Sequence, residues 1–589
     1  MELWFFCRLG NGFVPVKFFY LIFIFFYSCS ISFAQVQIPS AAESGISVKS
    51  LQKSQSQLSV APATKPGQII IKDSRKLVDP GEGPSYLVKK VEIEGNTLFD
   101  DKALASIIDI GGEMSMTLGI MSLIANEITA YYSKKGYFLA EAYIPEQELK
   151  DGIVKIKINE GKLGKIIVTG NKKYQTEEIL KRLKVIKKQP ILKEKTLERP
   201  LLDLNDIKGV DANAVLKPGD ETGTTDLVLE IKETRPYSFS FDVDNFGSRF
   251  TGRNRMGVSA SWDGLLALGD QFFFRGVKSD DDQDLAQLSY QFPLNDTGDR
   301  TLRFAYTYSE QSLGDNLIPL NAGGRTNIFN AELAQVLYRT RESLFKVRLG
   351  FDLKNFKNFQ LGQDTSRDHI RDFYVGVNGN VGDSLLGKTF YDFQLQRGFS
   401  GTSQKSALPS RSDGDAELTS LQSNLTRFQG TKLWNSYFIL KANGQLVSDR
   451  ALSPDLFAIG GYGSVRGFPL AEQSGDYGYN LAAEYVLPFP SKYPVGIGKL
   501  NADQIFFLTA FLEHGKVFVR DKQPGELDES ITGGGFGLQI NIPKNGICCG
   551  PDYRPPLSFS LSYGVPLSGP TPTDASSGIL YINGSIGFF

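Results

Sequence analysis

The chain has 589 residues, more than one ordinary domain needs, and a formal net charge of −1, which gives no field for wholesale nucleic-acid binding. It holds 60 Gly, 42 Phe and 24 Tyr but only 5 Met and 2 His, a composition that favours strands over a helical enzyme. Mean hydropathy is slightly negative, which excludes a helical membrane protein but not a membrane barrel, whose strands alternate between lipid and lumen.

At the N-terminus, Arg8 and Lys17 precede the apolar run 18–27 and then Ser32-Phe33-Ala34. A basic start, an apolar core and small residues around a cleavage point predict a secretory signal over 1–34. The run is short for a membrane span. Cys7 and Cys29 leave with it, so only the adjacent Cys548 and Cys549 remain, as a vicinal disulfide or a pair between chains. Residues 35–84 are rich in Ser, Gln, Ala and Pro and predict a linker, with room for one short helix in 41–60.

Residues 85–161 change character. Val88, Val91 and Ile93 predict a strand, 100–110 and 117–135 two helices, and 137–144 with 152–159 a pair of strands. The order β-α-α-β-β then repeats over 162–234, with a strand at 162–171, helices at 176–186 and 196–205, and strands at 211–217 and 224–231. Residues 162–199 carry twelve Lys or Arg against four Glu. They predict either a solvated helix face or a basic surface that attracts an acidic client.

From 235 to 589 helical patterning gives way to short alternating segments. They start near 237, 253, 270, 284, 300, 328, 343, 370, 388, 418, 434, 478, 505, 533, 556 and 579. A further run at 454–461 reads as an extension into a Gly-rich loop, so the expected architecture is a transmembrane antiparallel β-barrel of sixteen strands after two α+β domains. Connections near 265–268, 295–298, 340–342, 383–387 and 429–432 are short. Those near 310–327, 356–368, 400–417 and 462–477 are expected to be long, the asymmetry of outer-membrane barrels.

Gly382 to Thr389 matches a P-loop pattern, but alternation resumes at once in Phe390–Gln396 where phosphate binding needs a helix N-terminus. His369 and His514 sit in no cluster of metal-ligand spacing, and no serine lies in a nucleophile elbow. The residues therefore predict no catalytic site, no metal and no cofactor.

Two short runs carry the functional signal. One is Val465-Arg466-Gly467-Phe468, set among Gly460, Gly461 and Gly463; the other is Phe511-Leu512-Glu513-His514-Gly515. An arginine in such a loop suits a fixed carboxylate, whose geometry its planar fork matches. The first run resembles the VRG[YF] motif of the sixth external loop in outer-membrane protein-translocating barrels, and the second the F-x-[DE]-x-G signature on their thirteenth strand. Glu513 stands where most members have Asp. VEIEGNTLF at 91–99 and YYSKKGYFLAEAYIPEQELKDGIVKIKINEG at 131–161 resemble the POTRA domain in its two-partner (haemolysin-activator) form. Asp244 to Arg255 and Leu268-Gly269-Asp270 resemble the family's first hairpins.

The resemblance, over roughly 85–589, is to the outer-membrane transporters of two-partner secretion. It implies two periplasmic POTRA domains (85–161 and 162–234) and a barrel in outer-membrane lipid (235–589). It also implies a loop arginine paired with Glu513 in the lumen, a short plug helix within 35–84, and a secreted exoprotein as partner. The strand ending at Phe589 resembles the signal read by the barrel-assembly machinery. A barrel-assembly insertase and a passive porin or receptor are the alternatives.

Overall fold

The structure, a computed structural model, describes residues 5–9, 12–16, 39–50, 69–71 and 84–588, apart from 109–111, 150, 188–190, 222, 400–407, 496–499 and 545–554. Two units are distinguished, Met1–Pro39 and Ser40–Phe589. In the first, Phe5–Leu9 pairs antiparallel with Gly12–Val16. The expected apolar core and cleavage point of the signal, Cys548, Cys549 and Phe589 all lie outside the described residues.

In the second unit sixteen antiparallel strands close into a barrel, from Tyr237–Asp244 to Ile579–Phe588. Period-two alternation dictates this. On the first strand Phe239, Phe241 and Val243 face outward and are exposed, while Asp242 and Asp244 are buried on the inner face. Trp262, Phe304, Tyr306, Phe329, Leu512 and Phe536 continue the outward apolar surface, the face that lipid covers in a membrane barrel.

Most strands begin near their expected starts. One connection differs. The long loop expected near 356–368 is instead a continuous hairpin, Leu344–Gln360 with Gln363–Gly382, closed by Leu361 and Gly362 at φ 51° and 76°. Both turn residues take the left-handed conformation, so two residues reverse the chain with the twist of the strands. The two strands run on past the ends of the others, with Phe356 buried against Ile370 and Leu452, and a bulge at Asn358/Phe359 shifts the register just before the turn. The P-loop match is a tight turn, with Asp383 accepting the N–H groups of Leu385 and Gly387, followed by the strand Gly387–Gly398. Phe457–Ile459 pairs with Gln473–Gly475 outside the barrel ladder, at the base of the Gly-rich loop.

Upstream, Lys90–Glu94 runs parallel to Ile153–Asn159, which pairs antiparallel with Glu141–Tyr143. Helices Asp101–Ile108 and Leu118–Lys134 pack on this sheet through Leu104, Ala125, Ile128 and Tyr132. An unexpected second pairing joins Ser85–Val88 to Met114–Thr117 and covers Val88, Met116 and Met121. Glu160 ties the domain together, accepting from the Thr97 and Leu98 N–H groups and the Tyr132 hydroxyl. Burial and that carboxylate push the Tyr132 phenol up from its ordinary pKa.

The repeat from 162 to 233 has the same order, with strands Lys162–Thr169, Val210–Pro218 and Thr224–Glu233 under helices Thr176–Arg182, Lys184–Lys187 and Glu194–Asn205. A fourth strand comes from the linker. Ile69–Ile71 lies parallel to Ala214–Leu216 and occupies that sheet edge.

Four of the twelve cations of the basic stretch grip the barrel's turns. Lys173 donates to the Gly264 carbonyl at 2.7 Å, Arg182 to the Leu268 carbonyl, and Arg199 to Asp299 at 2.9 Å. Lys184 pairs with Asp296, and Arg339 of the barrel with Asp203 and Asp206. Burial pushes the Asp203 carboxyl up to about 6, although Arg339 and Arg199 oppose the shift. Arg339→Glu should place a third carboxylate here and loosen the domain from the barrel. Limited proteolysis after residue 233 should then speed up severalfold, and an unchanged cleavage rate would show that the ion pairs do not hold the joint.

Candidate functional site

The site is built on the inner wall of the barrel. On the thirteenth strand, Phe506–Phe518, Phe511, Glu513, Gly515 and Val517 face the lumen, while Leu508 and Leu512 are exposed outside. The twelfth strand, Tyr477–Pro488, pairs Ala482 with Glu513 and Glu484 with Phe511, which sets Glu484 and Glu513 as diagonal neighbours. Gly515 leaves room for Ile459, 2.9 Å from where its Cβ would stand.

Into this wall folds the connection between Val447 and Tyr477. Arg466 is 6% exposed. Its backbone N–H donates to Glu513 Oε2 at 2.6 Å, its Nε and Nη2 to Oε1 at 2.9 and 2.6 Å, and Nη2 also to Glu484 Oε2 at 2.6 Å. The guanidinium carbon lies 3.4 Å from the centre of the Phe511 ring. One cation thus meets two carboxylates and an aromatic face, and charge-assisted bonds of this kind are the stronger class.

Val465 and Phe468, both fully buried, pack on Ile459, Val517 and Ile531. Gly467 has φ 99°, and a Cβ there would lie 2.5 Å from the Val565 carbonyl carbon, so only glycine fits. The Tyr581 hydroxyl of the last strand accepts from the Gly467 N–H and donates to the Phe468 carbonyl, both at 3.2 Å.

Val465, Arg466, Gly467 and Phe468 of the first run and Phe511, Glu513 and Gly515 of the second therefore lie in one place. Glu484, Tyr581 and Tyr462, which sequence reasoning missed, lie with them. Two carried a signal, since Glu484 and Tyr581 occupy the inward phase of their strands.

Two further sets of contacts fill the lumen and its outer mouth. Residues 44–50 are helical, inside the range expected for a short helix. With 40–43 they lie against the inner wall. Ser44 meets Asn358, Gln283 donates to Ser47, Gln311 donates to the Ala42 carbonyl, and Val48 packs on Val277 and Leu285. Outside, Asp476 takes Arg411 at 2.6 Å and the Ala451 and Arg520 N–H groups, while Glu526 takes both arms of Arg450. These bonds, with Arg450 foremost, hold the Glu526 carboxyl down to about 2 and lock three external loops together.

The sequence over residues 223–540 matches the family model described as haemolysin secretion/activation protein ShlB/FhaC/HecB, and 86–161 matches the ShlB-type POTRA domain. The chain belongs to this family. It is 26% identical over 486 residues to the heme/hemopexin transporter protein HuxB of Haemophilus influenzae, covering 79% of this chain and 84% of that protein. To the outer membrane transporter CdiB of Escherichia coli O6:K15:H31 it is 24% identical over 417 residues, covering 68% and 69%. Among solved structures, CdiB from Escherichia coli superposes with a TM-score of 0.68 at 19% identity, covering 92% of this chain and 98% of that one. BamA from Haemophilus ducreyi gives 0.52 at 15%, covering 85% and 100%. The chain is a two-partner secretion transporter of the outer membrane, its barrel spanning that membrane and its POTRA region in the periplasm. Its partner is a secreted exoprotein.

Proposed function

We propose that the chain captures its exoprotein, largely unfolded, at the sheet edges of residues 85–234 and passes it through the lumen now filled by the Gly-rich loop and residues 40–50. The carrying observation is the loop folded into the barrel and fixed there through Arg466. A passive porin has no use for a lumen closed in this way, nor for two sheet-edged domains below it. An insertase would share the barrel, and the likeness to BamA is one of fold alone; the KKGY…IPEQ wording of the first domain favours export. We read the repeat at 162–234 as a second POTRA domain, residues 40–50 as a plug, and 1–34 as a cleaved signal. Transport needs no bond chemistry at the site, so we read the chain as a transporter without enzymatic activity. We read its last strand, ending at Phe589, as the part recognised by the assembly machinery.

Strand addition supplies main-chain hydrogen bonds while asking little of client sequence. Glu141–Tyr143 is an edge of the first sheet. The Val210–Pro218 edge of the second already holds Ile69–Ile71, so a client strand has to displace the linker there. In the full chain, Tyr143→Pro should weaken binding of the exoprotein's N-terminal part more than Tyr143→Ala, because proline takes from this edge strand its ladder donor toward Lys157 and so spoils the strand a client would pair with. Ile70→Pro should tighten it about threefold to tenfold, since one main-chain bond nets about 0.5–1.5 kcal/mol. Titration calorimetry reads both, and equal affinities in all variants would place recognition elsewhere.

A further inference from the structure

The first and last barrel strands close the wall by a short ladder. It runs only from Phe239↔Phe588 to Asp244↔Asn583, whereas the hairpin of the seventh and eighth strands runs from Leu344↔Asn380 to Gln360↔Gln363. At the outer end of this seam the Asn245 N–H still donates to the Ile582 carbonyl at 3.2 Å, and the Asn245 side chain adds two further bonds. Asn245 Nδ2 donates to the Leu580 carbonyl at 2.7 Å, and its Oδ1 accepts from the Ile582 N–H at 2.8 Å. The next residue then turns into the lumen. Phe246 is 2% exposed, and its ring stacks on Tyr462 of the Gly-rich loop with centroids 3.7 Å apart and planes at 12°.

Tyr462 also lies 5.7 Å from the ring of Tyr581, and Tyr581 is bonded to the loop at Gly467 and Phe468. Phe246 lies two residues past the end of the first strand and Tyr581 belongs to the last. The loop tip therefore touches both sides of the seam from within, four residues before the arginine that fixes the loop to the wall.

We propose that Tyr462 is a positioning residue that staples the seam, so that seating Arg466 holds the first and last strands together and release of the loop loosens them. The inference deepens the reading of the loop as the part that yields to the client. It gives that movement a consequence, a wall that widens when the loop leaves. The reason is local. The seam has a short ladder, its outer end is finished by Asn245 through backbone and side chain together, and the aromatic ring beside that amide is covered by the loop.

Hydrogen–deuterium exchange on the purified full chain, with no client present, tests the staple apart from transport. In Tyr462→Ala, amides of 239–244 and 583–588 should exchange at least tenfold faster, while those of the sixth to eighth strands keep their rates. Tyr462→Phe keeps the stack and should match the parent. Should Tyr462→Ala fail to assemble, Phe246→Ala removes the same stack from the other side and should give the same pattern. A Cβ on Gly584 would lie 3.6 Å from the Val243 side chain, outside the barrel and away from the loop. A disulfide between Val243→Cys and Gly584→Cys should therefore form and restore seam protection in Tyr462→Ala. Unchanged seam exchange in Tyr462→Ala, or acceleration spread evenly over all strands, would overturn the proposal.

Discussion

Arg466→Ala is expected to cut export of the exoprotein at least tenfold while leaving the barrel inserted in the outer membrane. The arginine makes its bonds to Glu513 and Glu484 on the lumen wall, not within the strand ladder. The ladder that folds and inserts the barrel is therefore untouched. The substitution instead strands two carboxylates, Glu513 at 4% exposure among them, and removing one partner of a buried pair costs about 3–5 kcal/mol. The loop then has less to lose by leaving the wall than by staying. Adding Glu513→Gln removes one stranded charge, so thermal stability should partly return while export stays low. Arg466→Lys keeps the charge but loses the planar fork that spans both carboxylates, and should fall between. Immunoblots of exoprotein in the medium, set against heat-modifiable barrel in outer-membrane fractions, read both effects. Wild-type export by Arg466→Ala would remove the loop pair from the mechanism.

The barrel was legible because period-two alternation is a property of single strands, and every lipid-facing position must obey it. Arg466 and Glu513 were legible because each sits in a short run of fixed wording. What escaped was what register decides. Glu484 reaches Arg466 only because Ala482 pairs with Glu513, and a one-residue slip would turn it to lipid. The hairpin around Leu361 and Gly362 escapes because its turn is Leu-Gly rather than Asn-Gly or Asp-Gly, and Lys354, Asn355, Lys357 and Asn358 before it are polar. Polarity on the inner phase of a barrel strand looks like loop polarity until the partner strand is known. Ile69–Ile71 pairs with a strand far along the chain, and three apolar residues in a polar linker do not announce it. The basic stretch allowed a solvated face or a client surface. It did not announce that four of its cations, Lys173, Arg182, Lys184 and Arg199, are engaged by the barrel's turns, whose carbonyls and aspartates face them.

Gly533→Ala should unseat the same loop with every charged group left in place. Gly533 lies on the fourteenth strand, Glu529–Ile542, directly opposite Glu513. A Cβ built there would stand 1.9 Å from the Arg466 carbonyl oxygen and 3.2 Å from Val465 Cγ1. The obstructed atom is backbone, and it cannot swing aside as a side chain could. Overpacking a fitted site costs about 1–3 kcal/mol and sometimes more, and here the loop can escape the clash by moving off the wall. Alanine suits the strand ladder better than glycine does, so assembly should be unimpaired or improved. Gly534→Ala is the control. Its Cβ meets the flexible Leu567 side chain on the other face, at 2.9 Å, and export should stay near that of the parent. Export should fall in Gly533→Ala nearly as far as in Arg466→Ala, and protease added from outside should cut the loop faster. If Gly533→Ala exports normally, the loop's seat is not needed for transport and the ion pair acts in some other way.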